Sequence, residues 1–180
     1  MHKLFAAAAP ALLVLAVSAA AQVKHNSRAP IDFGADVIEL QDKQNRAVLS
    51  GNVSLRQAEM TLTAARMTVF YTGQVLGGKP QVSRFDASGG VVVKRPDQTA
   101  RSNYAIYDLN RRVITMLGNV TLTQGGNTVN GGRLTLNLDT GRAVIDGSSV
   151  AGGASSGNGG TVSRAPSGRV TGTFSVPDRN

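Results

Sequence analysis

The chain has 180 residues, of which 41% are hydrophobic, and its 19 basic and 11 acidic residues give a formal charge of +8. This length accommodates about one domain beside a targeting segment. The chain contains no cysteine, which excludes a disulfide framework and a thiolate metal site.

The N-terminus has the features of a secretory signal peptide. Met1-His2-Lys3 precedes an apolar run from Leu4 to about Ala21, and the run ends in the small residues VSAAAQ. We predict a signal peptide at residues 1–21 and a polar leader at residues 22–29. A membrane anchor is the alternative, because the run is just long enough to span a bilayer, but it is rich in alanine and Pro10 interrupts it.

Export from the cytoplasm limits which molecules the basic charge of the protein can bind. Outside the cytoplasm we expect no nucleic acid, and phosphorylated lipid or a membrane surface is the partner that the charge favours. The alternative is that the charge only maintains solubility. No second long hydrophobic run follows residue 21, so we expect the remainder to be soluble.

Short runs rich in Val, Ile, Thr, Leu and Gly follow the leader. Polar turn segments separate them: QDKQN at 41–45, DLNR at 108–111, QGGN at 124–127 and DTG at 139–141. Evenly spaced short strands with such turns predict an all-β sandwich, roll or barrel with little helix.

One segment of the chain is repeated. Aligned without a gap, residues 51–71 and 118–138 agree at Gly51, Asn52, Val53, Leu55, Gln57, Thr61, Arg66 and Thr68. A third copy begins at Gly89, and a shorter one, RAVIDG, ends at Gly147. Such self-similarity indicates one supersecondary unit stacked on copies of itself.

Alternation around each repeated glycine predicts which face of the sheet is buried. Residues at even offsets are mostly apolar, and residues at odd offsets, such as Asn52 and Thr121, are mostly polar. Side chains at successive strand positions point to opposite faces. The predicted apolar face contains Leu49, Val53, Leu55, Met60, Leu62, Met67, Val69, Phe85, Val91, Val93, Ile114, Met116, Val120 and Leu122.

The alternation places the glycine of every copy on the apolar face. Glycine inside a strand often marks a bulge or bend, so we expect every copy to curve at the same place and the sheet to fold over. Apolar residues of this kind usually fill a packed core. The predicted inner face is poor in aromatic residues, however, and a lining without bulky rings favours an apolar groove as the alternative.

The sequence offers no catalytic or metal-binding pattern. His25 stands alone, and no Ser-His-Asp order, metal-spaced cluster or phosphate loop is present. The acidic residues Asp32, Asp36, Glu39 and Asp42 are spread over a strand and turn and are interpreted as a solvated face. We therefore predict that the protein is not an enzyme and uses no cofactor and no metal.

Residues 30–71 resemble the opening of periplasmic lipopolysaccharide-transport proteins of the LptA/OstA type. The resemblance rests on a Pro-Ile-x-hydrophobic strand, an Ala-Asp pair, a polar turn and Gly-Asn-Val followed by Gln. The matching residues are Pro30, Ile31, Phe33, Ala35, Asp36, Gly51, Asn52, Val53 and Gln57. Lys79-Pro80 and the second Gly-Asn-Val at 118–120 extend it, so that it covers about residues 30–147.

The resemblance implies an open, twisted β-jelly roll whose interior receives the acyl chains of lipopolysaccharide. The lipid A groove would be lined by the apolar face together with Ile31 and Phe33. The family passes lipid from an inner-membrane partner resembling LptC to an outer-membrane partner resembling LptD, and copies stack head to tail. The implied location is the periplasm.

The ends of the chain complete the predicted organisation. The jelly roll is expected at residues 30–147, a Gly/Ser-rich segment at 148–165, and a C-terminal edge strand and tail at 166–180, with GRVTGTFSVP as a weaker match to the family's closing strand. The Gly/Ser-rich segment departs from the family pattern and leaves open whether that strand docks.

Two alternatives remain open from the sequence. An LptC-like member of the same pathway would keep its N-terminal segment as an inner-membrane anchor. A secreted β-solenoid structural protein or adhesin would have a packed interior and would not copurify with lipid.

Overall fold

The computed structural model describes residues 25–73, 78–147 and 171–173. These residues form β-strands and one 3-10 turn at Asp42–Gln44. The strands are β1 (Ile31–Gly34), β2 (Val37–Gln41), β3 (Arg46–Gln57), β4 (Met60–Thr72), β5 (Gln81–Lys94), β6 (Gln98–Asp108), β7 (Val113–Gln124), β8 (Asn127–Asn137), β9 (Ala143–Asp146) and β10 (Thr171–Thr173). In this part of the chain, no helix has the length and apolar character needed to cross a membrane.

All strands belong to one antiparallel sheet. The hydrogen-bonded order is β1-β3-β4-β5-β6-β7-β8-β10, with β2 also paired to β3 and β9 also paired to β8. Consecutive long strands are neighbours, because the short polar turns predicted from the sequence return the chain beside itself. The predicted all-β class, with repeated short turns and an open sheet, is confirmed.

The long strands share one line of bends. Gly51-Asn52 in β3, Gly89-Gly90 in β5 and Gly118-Asn119 in β7 all have positive φ angles, between 45° and 83°. The pairing register shifts at each of these pairs, as in a β-bulge. Bulges bend a strand and increase its twist, and glycine and asparagine are the residues that tolerate this left-handed conformation best. The repeated Gly-Asn therefore folds the sheet over at one line.

The bends divide the sheet into two half-sheets. Half-sheet A contains β2, β9 and the segments of the long strands β3–β8 at residues 46–50, 66–72, 81–88, 104–108, 113–117 and 133–137. Half-sheet B contains β1, β10 and the parts of β3 and β8 at residues 53–57 and 127–131. The inner side chains of both halves form one buried cluster, so the half-sheets cover each other.

The two edges of the sheet are built alike. At the front edge, β1 and β2 share one side of β3, and at the back edge β9 and β10 share one side of β8. Residues 171–173, within the predicted closing strand, pair with residues 128–130 of β8. The predicted signal peptide (1–21), the first residues of the leader (22–24), the Gly/Ser-rich segment (148–165) and the rest of the predicted C-terminal strand lie outside the described residues.

Candidate functional site

The predicted apolar face lies between the half-sheets. Thirteen of its members are at most 4% exposed, and they are Leu49, Val53, Leu55, Met60, Leu62, Met67, Val69, Phe85, Val91, Val93, Ile114, Met116 and Val120. Leu122 and Ile31 are partly buried against the same cluster, whereas Phe33 is 49% exposed. Side chains at odd offsets, such as Thr121, point to the outside, so the alternation predicted from the sequence describes the interior well.

The repeated glycine itself departs from that alternation. A Cβ atom on Gly51 would meet the side chain of Asp36, an exposed residue, and a Cβ atom on Gly118 would meet Asn103. In β3, Asn52 Nδ2 donates a 2.8 Å hydrogen bond to Asp36 Oδ2. The glycine therefore does not extend the apolar face, because its left-handed conformation turns the missing side chain toward the outer corner.

The interior is packed along its middle. A cavity of about 10 Å³ lies between the half-sheets, beside the β5–β6 turn. Its lining residues are Val93, Arg95, Gln98, Ala100, Leu122, Leu134, Leu136 and Ala143. A space of this size holds about one water molecule, so an acyl chain requires the half-sheets to separate locally.

The interior is uncovered at the front edge. Phe33 pairs with Leu55, Ile38 with Leu49, and Leu40 with Ala47, which places all of them on the inner face. They are nevertheless 48–50% exposed, because no further strand covers that end within the described residues. An apolar face that continues to an uncovered end can be extended by another molecule.

The two half-sheets are joined along the line of bends. We call the opposite long side, where hairpin turns of the two half-sheets face each other, the mouth. Gln57, at the end of β3 in half-sheet B, is 2% exposed. Its Oε1 accepts a 2.6 Å hydrogen bond from the Tyr107 hydroxyl of half-sheet A, and it lies 3.4 Å from His25 Nε2. Its Nε2 donates to the carbonyl oxygens of Ser27 (2.9 Å) and Ala29 (3.0 Å). The buried amide thus joins both half-sheets and the chain that precedes β1.

A second polar contact lies on the other side of the mouth. Ser27 Oγ donates a 2.5 Å hydrogen bond to Asp139 Oδ1, just beyond β8. Arg112 Nη1 lies 2.9 Å from Asp139 Oδ2. The hydrogen bond from Ser27 and that from Arg112 both lower the pKa of Asp139.

Burial also changes the ionisation of the groups around Gln57. Desolvation lowers the pKa of His25 below 6.5 and raises the pKa of Tyr107 to about 12. Both side chains are therefore neutral at pH 7. A neutral His25 with its proton on Nε2 donates to the acceptor Gln57 Oε1.

Gln57 and the residues it binds were not predicted as functional. Gln57 stands at an even offset from Gly51, so the alternation already places it on the inner face. Its counterpart in the other Gly-Asn-Val copy, Gln124, is exposed and donates to Asp97. A polar residue at a position that the alternation places on the inner face was the feature of the sequence that could have identified Gln57.

Within residues 25–73, 78–147 and 171–173, no group of three or more acidic, histidine or cysteine side chains comes together as a metal site. The features that stand out are a long apolar interior, an uncovered front edge and a polar closure at the mouth. With the single antiparallel sheet, they define the class of open β-jelly rolls with an apolar interior.

Comparison with known proteins assigns the family. The family model described as LptA/(LptD N-terminal domain) LPS transport protein matches residues 33–142. The chain therefore belongs to this family of lipopolysaccharide transport proteins, whose described role is transport and not catalysis.

Two further comparisons found similar proteins. An uncharacterized protein of Rhizobium meliloti (strain 1021) is 34% identical over 121 residues, and the match spans 65% of this chain and 65% of the length of that relative. The crystal structure of LptH from Pseudomonas aeruginosa, the LptA-homologous periplasmic component of its lipopolysaccharide transport device, aligns with a TM-score of 0.64. At 20% identity, over 84% of this chain and 99% of the LptH chain, this likeness shows that the fold is shared.

Proposed function

We propose that the protein is a periplasmic carrier that shields the acyl chains of lipid A between its half-sheets and passes lipopolysaccharide toward the outer membrane. The observation that carries the proposal is an apolar interior that runs the length of the sheet and is uncovered at the front edge. Family membership supports the substrate class.

The energetics of lipid transfer explain the need for such an interior. Exposing an acyl chain to water costs about 0.8 kcal/mol per methylene group. A lipid with several acyl chains therefore faces tens of kcal/mol on its way through an aqueous compartment. An apolar interior removes most of this cost, because the chains exchange one apolar environment for another.

The proposed partners follow from the two edges. We propose that the front edge (β1 and β2) and the back edge (β9 and β10) join copies of this chain head to tail, and that the terminal copies join an LptC-like and an LptD-like partner. Within residues 25–73, 78–147 and 171–173, the edge strands β1, β2, β9 and β10 each pair with one strand, and sheet edges of this kind invite strand addition. The half-exposed inner side chains Phe33, Ile38 and Leu40 would then continue into the next molecule.

Mass spectrometry of lipid extracted from the exported protein tests the proposed substrate. We expect lipid A to copurify with the protein and to bind again after delipidation. A protein that carries no lipid A and takes up none after delipidation would contradict the proposal and favour a secreted structural protein or adhesin.

The ionic-strength dependence of binding tests which part of the lipid dominates. Basic side chains would add a modest attraction to the lipid phosphates. The sequence suggests Arg56, Arg66, Lys94 or Arg133 for this role, but all of them lie at odd, outward positions, whereas Arg95 lines the cavity near the mouth. We expect binding to weaken only mildly with salt, and a steep loss would indicate a charge-driven polyanion binder.

Mapping the N-terminus of the exported protein separates the carrier from an anchored, LptC-like component. The carrier is expected to begin at residue 22, after cleavage of the signal peptide. A chain that retains residues 1–21 and sediments with the inner membrane would favour the LptC-like alternative.

A further inference from the structure

We infer that residues 25–30 form a strap across the mouth and that the apolar interior admits a lipid acyl chain when this strap lifts. The identity of the ligand rests on the proposed function, whereas the strap is defined by its own contacts with both half-sheets. These contacts place a short polar segment where the two apolar inner faces would otherwise meet water.

The strap is fastened to half-sheet B through Gln57. Both hydrogens of the Gln57 amide go to strap carbonyl oxygens, those of Ser27 at 2.9 Å and Ala29 at 3.0 Å. The amide oxygen accepts from Tyr107 of half-sheet A and faces His25 Nε2. A single buried side chain thus holds the strap and fixes the distance between the half-sheets at the mouth.

The strap is fastened to half-sheet A through Asp139. Ser27 Oγ donates to one carboxylate oxygen of Asp139, and Arg112 Nη1 contacts the other. Because Ser27 bonds Asp139 with its side chain and Gln57 with its carbonyl oxygen, one residue spans the gap between the half-sheets. Removing the strap would leave the hydrogen bond between Gln57 and Tyr107, beside the packed apolar side chains, to join the half-sheets at the mouth.

The strap is held differently from the strands and is the part expected to open first. Its backbone forms a local turn, with Ser27 N donating to His25 O (3.2 Å) and Ala29 N to Asn26 O (3.1 Å). Each long strand instead shares continuous ladders with its neighbours. Elements with few buried apolar contacts open before those with shared ladders.

The cavity between the half-sheets shares Arg95 with the electrostatic surroundings of the strap and indicates where a chain would enter. It adjoins Arg95 in the β5–β6 turn and Gln98 at the start of β6, and the rest of its lining is apolar. Arg95 also acts electrostatically on His25 in the strap. An acyl chain passing under a lifted strap would therefore reach apolar side chains first, while a phosphorylated headgroup would remain near the guanidinium group of Arg95.

A reversible lock on the strap tests the inference. Because the natural chain has no cysteine, Ser27→Cys combined with Asp139→Cys creates a single thiol pair in place of the hydrogen bond between these residues. The probe is N-phenyl-1-naphthylamine, a neutral apolar dye that fluoresces in apolar surroundings. We expect the oxidised protein to take up dye at least about tenfold more slowly than the same protein after reduction.

Matched variants of two glutamines provide a second measurement that needs no disulfide. Gln57→Ala removes the bonds to the strap, and we expect severalfold faster dye uptake than in the natural protein. Gln124→Ala changes the corresponding glutamine of the other Gly-Asn-Val copy, which is exposed, and should leave uptake unchanged. Circular dichroism verifies that each variant is folded.

The outcomes separate the strap from the proposed function. Three outcomes would contradict the inference that the strap controls access to the interior. They are equal dye uptake by the oxidised and reduced forms, no uptake by either form, and failure of the two thiols to form a disulfide. If the disulfide controls dye uptake but lipid A neither binds nor displaces the dye, the inference about the strap is supported and the proposed lipid is wrong.

Discussion

Gln57 shows how one buried polar residue can stabilise an apolar interior. Its amide uses both hydrogens and accepts from two sides, so no part of it is left without a partner. A buried amide that is satisfied in this way costs little, whereas one that loses partners costs about 1–3 kcal/mol. With the strap in place, the hydrogen bonds of Gln57 therefore stabilise the closed mouth. With the strap lifted, its buried amide lacks partners and destabilises the protein, unless water or ligand replaces the lost bonds.

His25 makes the strap sensitive to pH. Burial lowers its pKa chiefly by desolvation; Arg95 lowers it further, while the bond to Gln57 and the charges of Asp139 and Glu59 oppose the shift. The unfolded chain binds a proton near pH 6.5, but the folded chain binds it only at lower pH. The free energy of unfolding should therefore be highest above pH 6.5 and fall as the pH drops toward the folded pKa.

NMR of the imidazole ring measures this effect directly, because His25 is the single histidine after residue 21. We expect its pKa to lie below 6.5 and hydrogen exchange of the strap amides to accelerate as His25 becomes protonated. A pKa at or above 6.5 would show that His25 is not buried against Gln57.

Val120 and Thr121 are adjacent residues on opposite faces of β7 and allow a matched test of the interior. Val120 is 1% exposed, whereas Thr121 lies on the outer face, where it donates to Asn130. Val120→Asp should lower the free energy of unfolding by about 3–5 kcal/mol, because it buries an unpaired charge. Thr121→Asp should change it by less than about 1 kcal/mol, as urea unfolding would show. Similar losses in both variants would mean that the faces are assigned incorrectly.

How well single residues can be predicted depends on whether alternation alone determines their position. Period-two alternation places Val53, Met116 and Val120 in the interior without further information. It gives no reason to expect that Phe33 is half exposed, because this exposure depends on where the sheet ends. It also does not show that Gln57 meets Tyr107, since that contact forms only when the half-sheets fold together.

At the scale of elements, the bends decide the architecture. Without the paired left-handed residues, strands of 11–14 residues would continue as one extended sheet with an apolar face in water. The stacked bulges fold that face onto itself. The repeated glycines predict the bends from the sequence. A Cβ atom on Gly51 or Gly118 would point toward Asp36 or Asn103, and this direction follows from the positive φ angles. The period-two alternation of the sequence does not predict it.

Glycine can be required at a bend by a positive φ angle or by a close neighbouring strand, and Gly89 and Gly90 allow these two reasons to be tested separately. Both have positive φ, but a Cβ atom on Gly89 would lie 2.7 Å from the Cβ atom of Ala65, whereas one on Gly90 has nothing within 4 Å. Gly90→Ala should cost about 1–2 kcal/mol for the left-handed backbone, and Gly89→Ala should cost distinctly more.

Thermal or urea unfolding measures both losses, and Ala65→Gly in the Gly89→Ala background should recover the difference between them. Equal losses in the two single variants would show that the close approach of β4 to β5 is absent.

At the scale of the whole molecule, the two edges share one architecture but are formed by different strands with different side chains. A contact between unlike surfaces need not close into a ring. The front edge exposes inner apolar side chains, and the back edge is formed by β9 and by β10. We expect oligomers that grow with protein concentration, and their collapse after removal of residues 169–180. Light scattering of both proteins measures this, with Thr63→Glu, an exposed outer-face change, as a neutral control. A strict monomer in the full exported chain would contradict head-to-tail assembly.

The central claim is that lipid A acyl chains occupy the space between the half-sheets, and the methionines report on it without any substitution. Apart from Met1, the chain has Met60, Met67 and Met116, all fully buried in the interior. The deciding measurement is methyl NMR of these residues on addition of lipid A that carries a spin label on an acyl chain. The account predicts strong broadening of all three methyl signals; bound lipid that leaves them sharp would place the chains outside and contradict it.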